Sequence, residues 1–121
     1  MPSKVRRRRF QTEVRDGVAV VRFVDPLLDE QNSWIIREQV VQFAEETGQW
    51  NLSLDFGNVK FLSSAALGAL LKLNQLVEMQ GGHLSLCHVD RPIAEVFRAT
   101  HVDQIIEVRE TEPPVTDGTS R

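Results

Sequence analysis

From Phe10 onward, apolar and polar side chains alternate. Phe10, Thr12 and Val14 stand against Gln11, Glu13 and Arg15, the two-residue period of a half-buried strand. Asp16-Gly17 follows, a dipeptide whose residues tolerate the positive φ of a tight hairpin turn. Val18 to Phe23 is a second, more apolar strand, and Asp25-Pro26 ends the hairpin. Trp34, Ile36, Val40, Val41, Phe43 and Ala44 then recur at near-helical spacing, with Arg37, Glu38, Glu45 and Glu46 on the wet face. Asp29 is a candidate cap for this helix, and Thr47-Gly48 stops it.

Leu52, Leu54 and Phe56 predict a third strand, ending at Asp55-Phe56-Gly57, and Val59, Phe61 and Leu62 read as apolar anchors in the connection. Ser63-Ser64 opens a long helix reaching about Gln80. Its apolar set is broad (Ala66, Leu67, Leu70, Leu71, Leu73, Leu76, Val77), so it packs on a sheet and against a neighbouring element. Gly81-Gly82 breaks it. Leu84, Leu86 and Val89, with Cys87 among them, predict a fourth strand. A third helix starts at Asp90 or Arg91, has Pro92 in its first turn and buries Ile93, Val96 and Phe97. Ile105, Ile106 and Val108 predict a short last strand. The order β-β-α-β-α-β-α-β implies an α/β domain: a mixed sheet with an N-terminal hairpin, parallel strands after it, and helices covering it.

Composition adds boundaries. The 121 residues suit one domain, and 41% hydrophobic with 26% charged is a globular balance. The net charge of −3 hides a split: Lys4 and Arg6 to Arg9 put +5 into residues 1–9, residues 111–121 carry −1, and residues 10–110 therefore carry −7. An acidic folded part argues against nucleic-acid binding by its own surface. The basic stretch 1–9 reads as a disordered arm, with a nucleic-acid or anionic-lipid contact as the alternative; residues 111–121, rich in Pro, Thr, Gly and Ser, read as a disordered tail. Cys87 is the single cysteine, which excludes an intramolecular disulfide and suits a reducing cytoplasm. No apolar run approaches the roughly 20 residues that span a bilayer, and no secretory signal follows the basic start. The expected compartment is the cytoplasm.

Chemistry concentrates in the segment from Asp55 to Gly68. Ser63 and Ser64 stand where a helix begins after a strand, and a helix start offers unpaired N–H groups and partial positive charge to an anion. A phosphate there brings about −1.5 to −2 charges to a rigid spot. A serine here also has a purely structural use as an N-cap. Other candidates are weaker. His83, His88 and His101 lack metal-ligand spacing, Cys87 reads as a small hydrophobe in a strand, and Asp55 as the residue that ends a strand and feeds a turn. No nucleophile elbow or phosphate loop is present, and no nucleophile, base and orienting partner can be named together, so no enzyme activity, cofactor or metal is expected.

Asp55 through Gly68 resembles the signature of STAS domains, roughly Asp-Leu-x-x-Val-x-Phe-Met-Asp-Ser-Ser-Gly-Leu-Gly, and the likeness continues through Leu70, Leu71 and Gly81-Gly82 to Leu84. Leu28-Asp29 and Asn32 resemble the opening of that family's first helix, and Arg91 to Phe97 its last major helix, so the likeness covers residues 10–110. The resemblance implies a STAS-like fold and the role of a bacterial anti-sigma factor antagonist. Such a domain captures an anti-sigma factor, often a serine kinase, when unphosphorylated and releases it when phosphorylated; a phosphatase resets it. The implied phosphoacceptor is Ser64, with Ser63 as the alternative, and the implied partner contacts are Asp29, Asn32, Ser63, Ser64, Ala65, Leu67 and Gly68. At Gly68, close approach of a partner backbone and tight packing within the domain are equal readings. Two departures from the signature matter: Ser63 replaces the Asp before the phosphoacceptor and Ala66 replaces a Gly. These departures keep a second role in view, a STAS accessory subunit docking on the ATPase of an ABC-type lipid transporter. The expected state is a monomer or weak homodimer.

Overall fold

A computed structural model describes residues 9–112. The first hairpin pairs β1 (Phe10–Arg15) with β2 (Val18–Phe23) in antiparallel register, and Asp16 and Gly17 take φ of 55° and 81° at the turn. Two positive φ values are what a two-residue turn needs to match strand twist. β3 (Leu27–Leu28) leads to α1 (Ser33–Thr47), then β4 (Asn51–Asp55), β5 (Phe61–Leu62), α2 (Ser64–Met79), β6 (His83–Cys87), α3 (Arg91–Ala99), a 3-10 turn at Val102–Gln104, and β7 (Glu107–Val108). The main sheet has the order β1-β2-β4-β6-β7, with every pair after the hairpin parallel. The two-residue strands β3 and β5, absent from the expected order, pair parallel to each other in a separate small sheet.

Strand alternation sorts the main sheet into two faces. Ala19, Val21, Phe23, Leu52, Leu54, Leu84 and Leu86 point into the core, and all three helices contribute to it: Ile36, Val40 and Phe43 from α1, Leu70, Leu73 and Val77 from α2, Ile93 and Phe97 from α3. Phe56, just past β4, joins the layers by edge-on contacts with Phe23 (5.6 Å between centroids) and Phe97 (5.9 Å). Val20, Arg22, Ser53, Asp55, Ser85 and Cys87 share the opposite face by the same alternation. Gly82 lets β6 start close to β4: a Cβ there would collide with the Trp50 carbonyl.

Four expected burials differ. Val14 is 64% exposed because β1 is an edge strand whose helical cover reaches Phe10, through Phe43, and goes no further. Trp34 and Val96 are also exposed, each turned off the apolar stripe of its helix, and Ala94 takes the buried place on α3. Val59 is fully buried as expected, whereas Phe61 points outward. At the margins, the Arg9 carbonyl accepts the Val24 N–H and its guanidinium bridges Asp25 at 3.0 Å, while the Thr111 carbonyl accepts the His88 N–H. The rest of the predicted arm and tail, residues 1–8 and 113–121, lies outside the described residues.

Candidate functional site

The helix start at α2 is built by Ser63. Its extended backbone (φ −89°, ψ 170°) and its Oγ, which accepts the Ala66 N–H at 3.2 Å, make it the N-cap. Ser64 is therefore the first helical residue. It is exposed, and among the described residues its hydroxyl meets no protein acceptor or donor. The first turn of α2 carries no acidic side chain, so nothing in it opposes added negative charge.

The small sheet carries the opening of α1 to this spot. Leu27 pairs with Phe61 and Leu28 with Leu62, and the Ser63 N–H donates to the Leu28 carbonyl at 2.9 Å. Asp29 follows directly. Its Oδ1 accepts the N–H groups of Gln31 (2.9 Å) and Asn32 (3.1 Å), and Asn32 answers by accepting the Asp29 N–H (2.9 Å) and donating to the Leu27 carbonyl (2.8 Å). Asp29 thus closes the turn before α1, while the helix N-cap by position is Asn32, without a side-chain cap bond. Asp29 and Asn32 hold the loop in shape, and the loop lies beside Ser63.

The expected contact residues fall into two groups. Ser64, Ala65 and Gly68 face solvent; Ser63 and Leu67 are half-buried, and Leu67 packs against the core. A Cβ built on Gly68 would meet nothing within 4 Å, so packing within the domain does not require this glycine. Sequence reasoning gave Leu27 no role and read Phe61 only as an apolar anchor of the connection. They are register partners, 41% and 55% exposed, while their neighbours Leu28 and Leu62 turn inward. Both belong to two-residue strands, too short for any period to show in the sequence. Together with the start of α2 they make an apolar-edged surface beside an available hydroxyl.

Residues 9–114 match the STAS domain family profile. The chain belongs to the STAS domain family. An anti-sigma F factor antagonist of Paenibacillus polymyxa is 24% identical over 103 residues, covering 85% of this chain and 87% of that one. Among solved structures, an anti-sigma-factor antagonist (STAS) domain protein from Planctomyces limnophilus superposes with a TM-score of 0.73 at 22% identity, over 85% of this chain and 91% of the other. The phosphorylated form of the Bacillus cell fate determinant SpoIIAA gives 0.61 at 20% identity, over 82% and 89%. The STAS fold expected from the sequence is the fold observed. Among the described residues, no helix is long and apolar enough to cross a membrane.

In this STAS domain, groups able to ligate a metal come together at the ends of β4 and β6, on the face of the main sheet opposite the core. The Asp55 carboxylate is buried. Its Oδ2 meets Arg22 Nε at 3.1 Å and His88 Nδ1 at 3.2 Å, and its Oδ1 accepts the Gly57 N–H at 2.8 Å. Cys87 lies next to it, and burial pushes its thiol pKa up, which keeps it protonated at neutral pH.

Proposed function

We propose that the protein is an anti-sigma factor antagonist whose capture of an anti-sigma serine kinase is gated by phosphorylation of Ser64. The observation that carries this reading is the division of labour between the two serines. Ser63 is occupied as the N-cap, whereas Ser64 presents a hydroxyl at the electropositive start of a 16-residue helix. The family and its antagonist relatives favour such a partner. Unmodified, the surface of Leu27, Phe61, Ala65 and Gly68 accepts the partner's apolar side chains, and Gly68 lets a backbone approach. A phosphoryl group on Ser64 places close to two negative charges at the centre of that contact, where they must be stripped of water and repel acidic partner groups. Release then needs no rearrangement of the fold. A phosphatase restores the binding form.

The test is affinity capture from the native host with phosphosite mapping. Recovery of an anti-sigma serine kinase by the unmodified protein, with phosphate on Ser64 in the uncaptured pool, is the expected result. Phosphate on Ser63 alone, or capture of a transporter ATPase in place of a kinase, contradicts the proposal.

A further inference from the structure

Across the polar face of the main sheet, three side chains stand at one level because their residues are register partners: Arg22 with Asp55, and Asp55 with Cys87. His88 follows β6 with a φ of +52°, a left-handed backbone uncommon for histidine, and this turn brings its ring back onto Asp55. The ligand atoms of Asp55, Cys87 and His88 all lie within 4.8 Å of one another. We propose that Asp55, Cys87 and His88 form a binding site for a thiophilic divalent cation, with Zn2+ as the matching ion.

The donor set carries the assignment. One thiolate, one imidazole and one carboxylate suit a borderline-soft ion that accepts four ligands at about 2.0–2.3 Å. The 3.2 Å between Asp55 Oδ2 and His88 Nδ1 is already close to the separation of two ligands on one tetrahedral ion, and Cys87 Sγ lies within 4.8 Å of both. Water takes the fourth position through the side where the His88 ring is 39% exposed. The outer contacts are also in place. The Gly57 N–H holds Asp55 Oδ1 and so aims Oδ2 at the site, and the Phe56 N–H donates to the Cys87 carbonyl, fixing the two strand ends. On binding, the metal–sulfur bond replaces the S–H bond, and the proton leaves to solvent. Arg22 and the cation compete for Asp55 Oδ2. The guanidinium side chain is 43% exposed, so it swings out into water when the ion enters. Spacing along the chain did not reveal the site, because its ligands come from two strands that only the parallel register aligns.

The experiment is a Co2+ titration of the reduced full-length chain, followed by displacement with Zn2+. A thiolate-to-cobalt absorption in the near ultraviolet should rise to one equivalent and vanish as Zn2+ is added. Cys87 is the only cysteine, so no other site produces this band. His88→Asn is the informative ligand variant, because asparagine accepts the left-handed backbone and preserves the fold. It should weaken affinity by about 100-fold, the scale at which metal sites respond to lost partners. Arg22→Gln keeps a hydrogen-bond donor but removes the competing charge, and should tighten binding by about tenfold. Absence of the near-ultraviolet band with excess Co2+ overturns the proposal. So does unchanged affinity in His88→Asn, which marks an adventitious thiol adduct, or unchanged affinity in Arg22→Gln.

Discussion

Ser64→Asp should weaken partner capture without weakening the fold. The substitution places a carboxylate at the first position of α2, where the Ser63 hydroxyl satisfies only the Ala66 N–H and the first turn has no acidic residue. A negative charge there gains about 0.3–1 kcal/mol from the helix dipole at low ionic strength. With a urea dependence of about 1–3 kcal/mol per M, the unfolding midpoint should rise by a few tenths of a molar. Binding moves the other way. A desolvated, unpaired charge at an interface costs several kcal/mol, and a loss of about 3 kcal/mol already means more than 100-fold in Kd. Urea unfolding and calorimetric titration with the captured anti-sigma factor should be run on the same sample. Capture at wild-type affinity refutes the electrostatic gate. Lost capture with a midpoint lowered by a molar or more refutes it differently, since unfolding would then explain the loss.

Further expectations follow from the same surface and from the sheet edge. Phe61→Ala removes an exposed ring, so stability should change by less than about 0.5 kcal/mol, while capture weakens at least about tenfold if the ring anchors the partner; paired unfolding and binding titrations check both. Gly68→Ala should raise stability by about 0.5–1 kcal/mol in urea unfolding, because the added methyl meets nothing within 4 Å and the helix gains propensity. At Glu107, burial raises the carboxyl pKa, but hydrogen bonds from His83 and Arg109 outweigh it and hold the pKa below the usual value. A depressed folded pKa stabilises the protein above the unfolded pKa, and this contribution is lost as pH falls through the lower, folded value. The stability difference between wild type and Glu107→Gln should therefore be present at neutral pH and close on acidification below the normal carboxylate range, measured as urea midpoints against pH.

The sequence carried the strands and helices wherever a period had room to repeat. Val18 to Phe23 and the face of α2 were legible because a run of apolar residues overrides any single exception. Ser63-Ser64 was legible as a helix start, and its two readings separated only when the Ser63–Ala66 bond showed which hydroxyl was occupied. Three features arise only in the folded chain. Leu27-Leu28 and Phe61-Leu62 pair over two residues, too few to show alternation, so the small sheet joining the openings of α1 and α2 left no mark in the sequence. Val14 and Trp34 fit their patterns, yet face solvent because burial depends on where a neighbouring layer ends. Asp55 and Cys87 are 32 residues apart in the chain and become neighbours only through parallel register.

The most direct measurement compares one protein in two covalent states. The chain should be prepared with phosphoserine installed quantitatively at position 64, beside the unmodified chain, and each titrated into the purified anti-sigma kinase. The account predicts tight one-to-one binding for the unmodified form and at least about 100-fold weaker binding for the phosphorylated one. Equal dissociation constants for the two forms would contradict it.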